Sequence, residues 1–230
     1  FNTTYNHLII DQNSIKSASA NLDVDGNLTI DNSATLDMSA TNYNLTLDGN
    51  YTLTSGTFTS RTGTVTFSGA GAQSLTPGSS SFYNLSTSTD NTDLTLQGDI
   101  TVANDLTIAG NTTLDVGSNR AITIGGNWSN SGTFTDQAGT VTFNGGGAQT
   151  VTSGGSDFYN LTTTGASTAV TLADAMTIAN DLSIASSSSL DVSGSNYSIA
   201  IKGNWSNSAT FVDQAGTVTF NGGGAQTVTS

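Results

Sequence analysis

The chain has 230 residues, a net charge of −13, only four Lys or Arg, one histidine and no cysteine. A phosphate backbone needs a cluster of basic side chains, so nucleic acid and anionic lipid are poor partners, disulfides are excluded, and no run approaches the ~18 apolar residues of a membrane span. Charged residues make up 9% of the chain, against about 25% in an ordinary globular domain, while abundant Thr and Val favour pleated, half-buried strands over disorder.

In chain order, the first element is the apolar run of YNHLII, which carries the lone histidine, His7. NLTI from Asn27, TLDM from Thr35, GNYTL around Tyr51 and GTVTF from Gly63 follow, closed by Gly-Ala-Gln from Gly71. The series then returns as DLTI from Asp105, TLDV from Thr113, GNWSN around Trp128, GTVTF from Gly139 and Gly-Ala-Gln from Gly147. It returns again as DLSI from Asp181, SLDV from Ser189, GNWSN around Trp205, GTVTF from Gly216 and Gly-Ala-Gln from Gly224. The chain therefore divides into three repeat units, 1–77, 78–153 and 154–230, forming one continuous array. Such self-similarity is the mark of a stacked repeat fold.

A finer rhythm runs inside each unit. Residues 100–120, 121–139, 140–157 and 158–175 each hold two or three short alternating runs bounded by Gly, Asn, Ser and Asp, the residues that make turns. Alternation places Leu106, Ile108, Leu114, Val116, Ile122, Ile124, Val141, Phe143, Leu161 and Val170 on one face. Strands this short build no core alone. Stacked coils bury them, with apolar columns inside and Thr columns outside. The expectation is an all-β parallel β-helix, or β-solenoid, with about four coils of 18–22 residues per unit and twelve in all. A β-sandwich array is the alternative, and the Asn-Gly dipeptides keep a hairpin meander open.

The segment GGNWSNSGTFTDQAGTVTFNGGGAQTV, from Gly125, resembles the repeats of large bacterial surface proteins of the filamentous-haemagglutinin and adhesin type. The resemblance extends through all three units. It implies a right-handed parallel β-helix, export and attachment. No secretion module accompanies it.

Few residue types in the chain could carry chemistry. His7 has no histidine counterpart in FYNL at 82 and 158, so a turn role is expected. Asp105 and Asp181, Asp37, Asp115 and Asp191, and Asp136 and Asp213 recur by unit, which favours turn hydrogen bonds over a paired-carboxylate site or a calcium site. NGGGAQ lacks the Lys-Ser/Thr of a phosphate loop, and its glycines are expected to supply positive φ at a corner. Tyr51, Trp128 and Trp205 are expected to form a stacked internal column. Asn27, Asn44, Asn84, Asn127, Asn160 and Asn204 begin Asn-x-Ser/Thr triplets, acceptor sites for glycans or members of side-chain amide ladders. No catalytic, cofactor-binding or metal residue is assigned.

The phase of Phe1 matches that of Gly154, so residue 1 takes up the pattern where residue 230 leaves it. No polar cap is recognisable, and either a longer repeat protein or subunits stacked head to tail is expected. The functional expectation is a non-enzymatic extracellular repeat protein, an adhesive stalk, fibre or filament at a microbial cell surface. Its partners would be copies of itself, further repeats or surface glycans. The alternatives are a Thr ladder, Thr107, Thr123, Thr142 and Thr162, that binds ice or a carbohydrate lattice, and a polysaccharide-active enzyme.

Overall fold

The computed structural model describes residues 3–88 and 91–230; the phase of Phe1 lies outside them. All the strand pairings among these residues are parallel, and no helix is present. The chain winds through three faces in turn, most passes contributing a strand of three to six residues. On the first face eleven strands stack without interruption, from Thr3–Tyr5 through Thr64–Phe67 and Trp128–Asn130 to Thr210–Val212. The second face runs over seven strands, from Leu8–Ile10 to Thr133–Thr135, is carried by a single bridge between Phe158 and Ile178, and resumes from Met176–Ile178 to Val218–Phe220. The third runs from Ile15–Ser17 to Thr57–Thr59, is bridged by Phe82 to Val102, and continues from Ile100–Val102 to Val228–Thr229. Each face thus has eleven passes, making a β-solenoid of eleven coils.

The alternation works as the side-chain period of a strand requires. Every apolar residue expected inside from 106 to 170 is buried, and strands such as Ile122–Ile124 and Leu182–Ile184 bury both flanks around an outward Thr or Ser. Registered partners lie 19 residues apart at Ile122 and Val141 and 24 apart at Tyr51 and Leu75. At about 4.8 Å per stacked strand, the eleven coils span about 53 Å.

The expected four coils per unit are corrected to 3⅔. Eleven coils of three faces divided among three units leave eleven face positions per unit. The count slips at FYNL. Phe158 and Leu161 face inward on the second and third faces respectively, so one corner is turned within four residues. A coil counted from Phe158 to the apolar run at 176 therefore follows the second face, while the next third-face strand is Leu182–Ile184. One consequence governs the molecule: equivalent strands of successive units occupy different faces. Thr64–Phe67 lies on the first, Thr140–Phe143 on the third and Val218–Phe220 on the second.

Candidate functional site

The polar residues singled out from the sequence are spent mainly on joining coils. All six triplet asparagines accept, through Oδ1, the backbone N–H of a residue one coil on. Asn50 donates to Asn27 at 2.9 Å, Thr64 to Asn44 at 2.9 Å and Thr150 to Asn127 at 2.8 Å. Asp105 donates to Asn84, Asp181 to Asn160 and Thr227 to Asn204 in the same way. The Nδ2 groups of Asn84, Asn127, Asn160 and Asn204 also donate to neighbouring coils, which a glycan on that nitrogen would disturb. Corner residues Asn42, Asn119 and Asn196, at φ of 62°, 62° and 59°, tolerate the left-handed region. Each also accepts a backbone N–H from the next coil.

His7 is exposed and lies in the turn before Leu8–Ile10. Its Nδ1 accepts the Asn27 N–H at 2.9 Å, the position that Asn84 and Asn160 fill in the other units. The aspartates divide into two kinds. Asp37, Asp115 and Asp191 accept the N–H two residues on, from Ser39, Gly117 and Ser193. Asp105 and Asp181 reach instead to the next coil, to the N–H of Asn127 and Asn204, each at 2.7 Å. Asp37 is further held by Arg61, through Nε at 2.8 Å and Nη2 at 2.6 Å, and this bonding lowers its pKa. Asp136 is the exception. Its Oδ2 is buried without a hydrogen-bond partner, and burial raises its pKa, with Asp157 adding to the effect and Lys202 opposing it. Asp213 contributes its backbone carbonyl to Gly216.

Two expectations change. In NGGGAQ, Gly145, Gly146 and Gly147 are not in the left-handed region. Gly145 is required by close approach: a Cβ there would lie 1.9 Å from the Gly125 carbonyl oxygen, and the same distance separates a Cβ at Gly222 from the Lys202 oxygen. Tyr51, Trp128 and Trp205 are buried as expected, but they form no column, since they sit on the second, first and third faces. Each instead anchors its own aromatic cluster. Tyr51 meets Phe58 and Phe82 at 5.8 and 5.6 Å, and Trp128 meets Phe134 and Phe158 at 4.7 and 5.1 Å. Trp205 meets Phe211 at 4.8 Å and Phe220 at 6.4 Å.

The proposed Thr ladder is also regrouped. Thr123, Thr142 and Thr162 are registered on the third face, with Thr101 before them and Ser183 and Ser206 after. Thr107 lies on the first face between Ser86 and Ser129.

The residue that sequence reasoning passed over is the glutamine of Gly-Ala-Gln. Gln73, Gln149 and Gln226 turn inward, and each Nε2 donates to two backbone carbonyls of the previous coil. For Gln149 these are Ile124 at 3.2 Å and Gly126 at 2.6 Å. Its recurrence at a position otherwise reserved for apolar side chains was the available signal.

Among the described residues no group of three or more His, Asp or Glu is placed to hold a metal ion, and no helix is long and apolar enough to cross a membrane. A cavity of about 120 Å³ lies at the first coil, lined by Tyr5, Leu8, Ile10 and Lys16 among others. No family model, curated protein or solved structure matches the chain. The likeness to filamentous-haemagglutinin repeats therefore rests on the quoted motifs and on the solenoid itself.

Proposed function

We propose that the chain is a structural repeat protein, an extracellular stalk, fibre or filament at a microbial cell surface, working by length and stiffness and not by catalysis. The observation that carries the reading is the unbroken coil-to-coil pairing of the first face, backed by polar corner side chains bonded along the same axis. Backbone hydrogen bonds that run along the rod resist stretching and bending. Short corners and only four Lys or Arg leave few places for proteolysis. Extension by further coils, in the same chain or in another copy, is part of the reading, and adhesion would be a property of the displayed surface.

Two measurements test it. Negative-stain images of the 230-residue chain should show rods about 53 Å long per copy, and antibodies to the chain should label intact cells. Globular particles, or labelling only after lysis, would reject the rod and the location respectively. The registered hydroxyl column on the third face, from Thr101 to Ser206, favours one second reading, binding to an ordered lattice. Thr142→Val together with Thr162→Val should then abolish ice shaping or adsorption to crystalline polysaccharide. Absence of either activity in the unmodified chain removes this reading.

A further inference from the structure

The sequence sets Asn before Gly at two places, Asn144–Gly145 and Asn221–Gly222. Both pairs lie at the corner that follows a Val-Thr-Phe strand. Glycine has no Cβ to shield its amide nitrogen or restrict its backbone, so that nitrogen can reach the side-chain carbonyl carbon of the asparagine before it. In that step the bond from the glycine nitrogen to Cγ forms and the bond from Cγ to Nδ2 breaks. Ammonia leaves, taking the proton of the glycine amide. Water then opens the five-membered ring at either carbonyl, leaving aspartate or isoaspartate. Packing holds the glycines in place, since a Cβ at Gly145 or Gly222 would lie 1.9 Å from the carbonyl oxygen of Gly125 or Lys202. Both asparagines are exposed, so water has access to them.

The first unit supplies the comparison. Ser68–Gly69 holds the same place in the repeat, and a Cβ at Gly69 would lie equally close, 1.9 Å from the Asp48 oxygen. The N–H groups of Ser68, Asn144 and Asn221 donate alike to the previous coil, to Leu47, Ile124 and Ile201 at 2.9, 2.9 and 3.0 Å. Gln73, Gln149 and Gln226 donate alike through Nε2 to that same coil. The units differ at the glutamine Oε1. In Gln149 it accepts the Gly145 N–H at 3.2 Å, and in Gln226 the Gly222 N–H at 3.1 Å. In Gln73 it is buried without a partner. The additional bond thus occurs in the two units that carry Asn-Gly, and it falls on the nitrogen that ring closure uses.

We propose that Asn144 and Asn221 are sites of spontaneous deamidation, and that Gln149 and Gln226 slow the reaction by holding the attacking nitrogen. To react, that nitrogen must give up its proton and turn toward the asparagine Cγ. Either change breaks the bond to Oε1. A bond made in the resting state and absent from the transition state raises the barrier. Deamidation adds a negative charge at the corner, and isoaspartate adds a methylene to the backbone beside a glycine that has no room for a Cβ. The inference is independent of the rod reading and holds for any role of the solenoid.

The decisive variant is Ser68→Asn, which places an asparagine before Gly69 where the Gln73 Oε1 is unengaged. The folded chain is incubated in mildly alkaline buffer, digested with pepsin in acid and mapped by mass spectrometry. The introduced asparagine should deamidate about fivefold faster than Asn144, the factor that one neutral hydrogen bond sets. In urea the two rates should converge. Gln149→Leu should speed Asn144 several-fold and leave Asn221, in the same molecules, unchanged. Circular dichroism reports whether each variant is folded, and either variant alone decides the matter if the other is not. Equal rates at the introduced asparagine and Asn144 in the folded chain overturn the proposal. So does a folded Gln149→Leu chain in which Asn144 keeps its rate, or in which Asn221 speeds up as much as Asn144.

Discussion

At the scale of single residues, the corners are held by side chains that stand in for backbone partners. The Oδ1 of Asn127 accepts the Thr150 N–H, and Asp105 accepts that of Asn127, so one coil's turn templates the next. The recurrence of Asn and Asp at fixed phase was legible in the sequence. Which of them bond to the following coil, as Asn127 and Asp105 do, and which to their own turn, as Asp37 and Asp115 do, was not, because spacing does not say whether a short polar side chain bonds its own turn or its neighbour's. Tyr51 shows the cost of burying a polar tip: its hydroxyl has no partner, and burial pushes its pKa well above the ordinary value. Tyr51→Phe should therefore raise stability by about 1 kcal/mol, read as a higher Tm. Asp136 and Arg61 give opposite pH signatures. A carboxyl with a raised folded pKa, such as Asp136, is destabilising at neutral pH, and the penalty vanishes as pH falls through the raised value. Asp136→Asn should raise Tm near neutrality and lose its advantage in acid. The bond from Arg61 lowers the pKa of Asp37, so its stabilising effect is complete above the ordinary carboxylate range and is lost as pH falls through the depressed value. Arg61→Ala should thus lower Tm slightly at neutral pH, as expected for an exposed pair, and change nothing in strong acid.

At the scale of the strand, period-two alternation was enough to assign faces. Phe143 is wholly buried and Thr142 faces outward beside Thr123 and Thr162. Phe143→Asp should cost several kcal/mol, because an unpaired carboxylate replaces a buried ring, while Thr142→Ser should leave the denaturation midpoint almost unchanged. Gln149 belongs to the same inward row. Gln149→Leu keeps the bulk but strips the buried Gly126 carbonyl of its side-chain donor and takes one of two donors from that of Ile124, which keeps the Asn144 N–H, and a loss of about 1 kcal/mol is expected. Strand order was harder to read than strand face. The corner at Phe158–Leu161 is turned so tightly that its second-face pass is a single bridge, and a missing strand leaves no alternation to count. That corner accounts for the difference between four coils per unit and 3⅔.

At the scale of the molecule, the three units are interchangeable in sequence but not in direction. Deleting residues 64–139 joins Gly63 to Thr140 and rebuilds Gly-Thr-Val-Thr-Phe at the seam. Each coil contacts chiefly its neighbours, so the shortened chain should fold with a similar Tm and measure about 35 Å in length. A markedly lower Tm would mean that distant units support one another. The fractional coil count also decides how such a rod meets its surroundings. Thr66, Thr142 and Thr219 hold one place in the repeat, yet they lie on the first, third and second faces. A whole number of coils per unit would line them up along one flank and give the rod a front and a back. Here whatever the repeat presents is carried round the axis like the thread of a screw, about 18 Å further along at each step. Any partner of the proposed rod, approaching from any side, would meet the same surface within three units, so its binding would depend little on how the rod is rotated about its axis.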